Sequence, residues 1–123
     1  KTELLDNGVL QYTESKDTNV YAHYYFIFPN IMLNFYDWGL SINIVEPISI
    51  NKTRIKFLSY PINNSKNIKA KIKELYEVEM EDEEVVLNVQ KGVQSTFYKN
   101  GRYSKNHEQG THYFHRLICK YIQ

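Results

Sequence analysis

Apolar and polar positions alternate with period two through the first half of the chain, then switch to a helical period after Pro61. Residues 8–13 form a short strand by this pattern. Residues 19–28 (NVYAHYYFIF) are rich in the β-branched and aromatic side chains that suit a pleated, half-buried surface. Pro29-Asn30 interrupts that run, residues 31–36 continue as the next strand, and Trp38-Gly39 marks a turn or bulge. Residues 40–46 (LSINIVE) and 53–60 (TRIKFLSY) alternate again, with residues 47–52 as the connection. Together these segments predict an antiparallel meander with one wet face.

Beyond Pro61, Asn63, Asn64, Ser65 and Asn67 make a polar loop, and from about Ile68 onward the apolar spacing becomes helical. Residues 81–98 are the strongest helical stretch. Gly101 and Ser104 mark a break, and residues 107–121 form a last helix whose first turn Gly110 weakens. Strands followed by helices predict an α+β domain, with helices covering one face of a curved antiparallel sheet.

The long helical stretch is crowded with acids: Glu74, Glu77, Glu79, Glu81, Asp82, Glu83 and Glu84. Most belong to a solvated helix face, favoured near a helix start by the macrodipole. Steps of three and four place Leu75, Val78, Asp82, Val85, Val86, Val89, Val93 and Phe97 on one stripe, in which Asp82 alone is charged. Glu81, Glu84, Asn88 and Lys91 fall on a polar face. A carboxylate directed into an apolar interior needs a partner. For Asp82 that partner is a metal cation, or an Arg or Tyr, or the residue acts as a helix N-cap.

Composition narrows the function classes. The 123 residues suffice for one compact domain, and 11 Tyr with 6 Phe supply large rings, many with a hydroxyl that seeks a partner. Net charge is +1 with both signs interspersed, so there is no basic stripe for nucleic acid. No apolar run approaches the roughly 20 residues of a membrane span, and no signal peptide is visible. The lone Cys119 excludes an intrachain disulfide and a cysteine-ligated cluster within the chain, and predicts a reducing, cytoplasmic setting. In the last helix it is expected to be a small buried hydrophobe.

Three blocks carry a family likeness. FIFPNIMLNFYDWGLSINIVEP at residues 26–47, RIKFLSYP at 54–61, and VEMEDEEVVLNVQKGVQSTFYKNGRYSKNHEQGTHYFHRL at 78–117 occur in the order found in Rieske-type non-haem iron oxygenases. The chain resembles the C-terminal part of the catalytic domain of their ring-hydroxylating α subunits, in the branch related to choline, betaine and carnitine oxygenases. The resemblance implies a helix-grip fold, a curved antiparallel sheet wrapped around a long helix. It also implies one mononuclear Fe(II) held by two His and one Asp, with positions left for dioxygen and substrate. By motif position the aspartate falls on Asp82, in the Glu-Asp pair before the Val-Gln-x-Gly segment.

Parts of the pattern are missing. The family's two histidines are spaced His-x4-His, whereas His23, His107, His112 and His115 offer no such spacing. Its Rieske [2Fe–2S] cluster needs two Cys and two His. Residues 1–123 are therefore expected to be the C-terminal portion of a larger subunit, an incomplete helix grip with the Rieske domain and the His-bearing helix outside this chain, and inactive alone. His112 and His115 share a helix face and match tail residues that are not iron ligands; a capping or packing role is expected. His23 is expected in the core or a pocket.

The intact subunit would hydroxylate or oxidatively dealkylate a small organic substrate, using dioxygen and electrons from a reductase or ferredoxin, within a homo-oligomer, trimeric when intact. Tyr24, Phe26, Asn34, Tyr36 and Trp38 are candidate substrate-binding residues, because aromatic faces hold quaternary ammonium groups. Phe28 belongs to the same aromatic run. The alternative is a metal-free helix-grip module for a small hydrophobic ligand.

Overall fold

The computed structural model describes residues 1–13, 22–62 and 67–122. The chain divides into two compact units, one made of Lys1–Asn63 with Tyr103–Gln123 and the other of Asn64–Arg102.

The first unit is an open antiparallel sheet with a helix on it. Its strands are β1 (Thr2–Leu5), β2 (Gly8–Tyr12), β3 (His23–Ile27), β4 (Ile31–Tyr36), β5 (Gly39–Ser49) and β6 (Lys52–Pro61), paired in sequence order. Strands consecutive in the sequence are neighbours in the sheet, the meander that the alternating pattern predicts. The helix α2 (Gln109–Ile122) packs on β1 and β2. The domain is α+β, as its sequence indicates.

Two strand assignments differ from the sequence pattern. β1 lies in a segment with no clear alternation, and a two-residue link, Asp6-Asn7, pairs it with β2 through Leu5 and Gly8. β5 does not stop at Glu46 but runs through Pro47 to Ser49, with a register irregularity there. Its pairing with β4 ends at Ile44. Beyond that point one edge of β5 has no strand partner among the described residues, so the missing N–H of Pro47 breaks no ladder there. Residues 19–21 of the predicted 19–28 strand lie outside the described residues.

Between β4 and β5 the chain turns at Asp37-Trp38, and Gly39 follows at φ 150°. A Cβ there would stand 2.3 Å from the Tyr60 carbonyl oxygen of β6. Glycine is needed at this position both for its backbone angle and for the close approach of β6.

Registers show what each face carries. Directly paired residues point to the same side. One row across the sheet is Thr2, Gln11, Tyr24, Asn34, Ser41 and Ser59; the next is Leu4, Val9, Phe26, Met32, Asn43 and Phe57. This is the face that α2 meets. The opposite face carries Tyr25, Ile27, Leu33, Phe35, Leu40, Ile42, Ile44 and Leu58. The alternating pattern predicts one wet face without saying which. Asn34, Ser41 and Asn43 keep only 8%, 0% and 7% exposure, while Phe35 on the other face is exposed. Alternation fixed which residues share a face but not which face is covered.

α2 closes the inner face through a few strong contacts. Leu117 is 3% exposed, Phe28 stacks on Tyr121 at 4.8 Å, and the Tyr113 hydroxyl donates to the Leu5 carbonyl at 2.7 Å. The Tyr121 hydroxyl donates to Asn7 Oδ1 at 3.2 Å. These two bonds give tyrosine hydroxyls the polar partners anticipated from composition and tie α2 to the β1–β2 turn.

The second unit contains α1 (Ile68–Val93). Asn67 precedes it in a left-handed conformation, φ 58°, which Asn tolerates. Lys73 and Glu77 form an i,i+4 ion pair at 3.6 Å. The helix ends at Val93 rather than running to residue 98. Ser95 Oγ accepts the Phe97 N–H at 3.3 Å, a local bond that competes with helical continuation. α1 has no buried residue among those described. Its apolar stripe exists in phase, but Val78, Val85, Val86, Val89 and Phe97 are exposed.

Candidate functional site

Between the inner face of the sheet and α2 lies an open cavity of about 570 Å³. Val9, Phe26, Met32 and Val45 supply its apolar floor, and Phe114 and Gly110 approach from α2. Phe114 meets Phe26 edge-to-face at 5.2 Å, which pins the helix over β3. Gly110, expected to weaken the helix start, lets α2 come close: a Cβ there would be 3.3 Å from Val9 Cγ1.

Polar groups edge the cavity. Gln11 Nε2 donates to Thr2 Oγ1 at 3.3 Å, and Asn30 Nδ2 donates to the Val45 carbonyl at 2.9 Å. Deeper in the sheet, Ser41 Oγ donates to Asn43 Oδ1 at 3.3 Å. Asn34 also lines the cavity, and its carboxamide has no hydrogen-bond partner among the described residues. None of the lining residues is charged.

Of the five candidate substrate residues, Tyr24, Phe26 and Asn34 line this cavity, while Tyr36 and Trp38 do not. Tyr36 lies on the same face and touches Tyr24 edge-on at 5.9 Å. Trp38 is buried and stacks on Tyr36 at 5.3 Å, so it supports the aromatic wall from behind. Sequence reasoning missed Val9, Gln11, Met32, Val45 and Phe114. Met32 was within reach of alternation, two residues from Asn34; the others depend on cross-strand register and helix docking.

The remaining candidates fall elsewhere. His23 is on the opposite face, half-buried, and stacks on Tyr12 at 5.9 Å, so it is not a pocket residue. His112 and His115 surround Tyr103, whose hydroxyl is hydrogen-bonded to His115 Nδ1, and they pack as a structural cluster. Cys119, expected to be buried, is exposed, because its helix position points away from the Phe114–Leu117 side. Asp82 sits exposed on α1, not facing an apolar interior. Among the described residues no three His, Cys, Asp or Glu side chains gather where they could hold a metal ion. One carboxylate is not a metal centre, so the described residues do not by themselves fit an iron site.

The model of the ring-hydroxylating α subunit catalytic domain matches residues 3–123. The chain belongs to this family. Among curated relatives it is similar to the chloroplastic choline monooxygenase of Arabidopsis thaliana, 34% identical over 101 residues, 79% of this chain and 24% of the relative. It is also similar to the choline monooxygenase of Amaranthus tricolor, likewise chloroplastic, 29% identical over 127 residues, 94% of this chain and 29% of the relative. This family member thus spans about a quarter of the length of those relatives. No solved structure matches it significantly. No helix among the described residues is long and apolar enough to cross a membrane.

Proposed function

We propose that this chain is the C-terminal portion of the catalytic domain of an iron-dependent oxygenase α subunit, and that it supplies the wall of the substrate pocket and one metal ligand. The observation that carries this is the conjunction of the family match over residues 3–123 with an uncharged cavity built on the same segment. In such a subunit a mononuclear Fe(II), fed electrons by a Rieske [2Fe–2S] cluster, supplies dioxygen activation. Asp82 provides the anionic ligand, and the two His ligands and the cluster come from outside these residues. The sheet and α2 would be the corresponding part of a helix grip.

What this chain's own residues do is hold and orient substrate. The relatives are named for choline. Tyr24 and Phe26 present the aromatic faces that attract a methylated ammonium, worth roughly 0.5–2 kcal/mol per ring depending on desolvation. Hydroxylation or oxidative dealkylation of such a compound is the expected reaction, with a reductase or ferredoxin as electron donor and a homo-oligomer, trimeric when intact, as the working form. A cytoplasmic setting rests on the lone cysteine alone, since both plant relatives are chloroplastic.

The test is oxygen uptake by the intact subunit with its reductase, on choline and related methylated amines. Uptake coupled to product formation supports the proposal. A second reading, a metal-free binding module, is favoured by one observation: every residue lining the cavity belongs to the first unit, whereas Asp82 belongs to the second. Iron-free protein that binds ligand without consuming oxygen would establish that alternative.

A further inference from the structure

Side by side on the inner face run a row of hydroxyl- and amide-bearing residues and a largely apolar row. The cavity straddles them, with Gln11, Tyr24 and Asn34 from one and Val9, Phe26 and Met32 from the other. Burying a polar side chain without a hydrogen bond costs roughly 1–3 kcal/mol. Most polar groups here avoid that cost: Gln11 is tied to Thr2, Asn30 to Val45, and Ser41 to Asn43. Asn34 makes no such bond among the described residues: it is 8% exposed and lines the cavity, and because every fully buried side-chain nitrogen or oxygen described has a partner, its carboxamide is open to the cavity.

We infer that Asn34 is the polar anchor of an amphipathic ligand site, taking a small molecule with one neutral hydrogen-bonding group, a hydroxyl or carbonyl, on a body that lies against Phe26, Met32 and Phe114. The chemistry follows from the lining. A carboxamide both donates and accepts, so it reads a hydroxyl or a carbonyl equally. With no Lys, Arg, Asp or Glu in the cavity wall, the group at Asn34 has no countercharge and is uncharged. Tyr24 is paired directly across from Asn34, and Met32 precedes it by one strand repeat. An aromatic edge and a thioether therefore flank the anchor, and the ligand's polar group must sit at the boundary between the two rows. This deepens the proposed function by naming the substrate's polar group, and it rests on that proposal only in taking the cavity as the substrate site.

The test uses 2-phenylethanol and ethylbenzene, which differ by one hydroxyl, and compares the wild-type chain with Asn34→Leu. Binding is followed by the methyl signals of Met32, in the cavity, and Met80, on α1, assigned with Met80→Leu, under conditions where no turnover occurs. A site built to hydrogen-bond a hydroxyl discriminates against the analogue lacking it through its own unpaired group. The expected result is that both probes shift Met32 but not Met80, and that Asn34→Leu moves the affinity ratio toward ethylbenzene by about tenfold, from the loss of one buried hydrogen bond. A shift in ratio below about twofold, well short of that loss, would overturn the anchor. So would a Met32 signal that neither probe moves. If Asn34→Leu does not fold, by circular dichroism, Asn34→Ala reads the same ratio against the same thresholds. Because neither iron nor oxygen uptake enters the readout, the anchor can fail while the oxygenase proposal stands, and the reverse.

Discussion

Phe114 of α2 meets Phe26 of β3 edge-to-face, with ring centroids 5.2 Å apart and planes at 90°. The pair does two jobs. It fastens the helix to the sheet, and it forms the wall of the cavity in which Asn34 stands. Sequence positions 26 and 114 are far apart, so this contact is a measure of whether α2 is seated as described.

Phe114→Ala removes that contact. Both rings are half-buried, so the loss is placed at about 2 kcal/mol, below the 3–5 kcal/mol of a fully buried Phe→Ala change. Urea unfolding should show a lower midpoint with an unchanged slope. A stability change within about 0.5 kcal/mol, the range of a neutral surface substitution, would mean that Phe114 is not packed on Phe26.

Two glycines should respond in opposite directions. Gly39→Ala forces a side chain into a φ of 150° and against the Tyr60 carbonyl, and should cost roughly 1–3 kcal/mol or more. Gly92, near the end of α1, has open space where a Cβ would go. Gly92→Ala should raise helix stability by up to about 1 kcal/mol. Thermal melts followed by far-ultraviolet circular dichroism distinguish them. Equal effects of the same sign would contradict the backbone geometry at Gly39.

α1 leaves Val78, Val85, Val86 and Val89 exposed along one face. A contiguous apolar stripe in water favours association. Sedimentation should show concentration-dependent self-association of the chain, reduced in the Val86→Lys, Val89→Lys double variant. A monomer at every concentration would show that the stripe is not a contact surface between copies.

The strands were legible where side chains alternate. Residues 31–36 were read with the bounds the structure shows, and TRIKFLSY was read within one residue at each end. β1 was not, because TELL has no alternation; its signal was instead the Asp-Asn-Gly turn that follows it. Pro47 misled for a physical reason: it ends central strands but is allowed on an edge without a partner. In the helix, spacing placed Asp82 among the valines correctly, yet phase does not say what covers a face. The cavity was half legible. Tyr24, Phe26 and Asn34 were singled out, but their joining to Val9 and Phe114 depends on register and docking that no local pattern encodes.

The role of Asp82 is settled most directly by iron analysis of the intact subunit carrying Asp82→Ala. Loss of the mononuclear iron is expected, with the visible absorption of the [2Fe–2S] cluster retained. Unchanged mononuclear iron in the folded variant would contradict it.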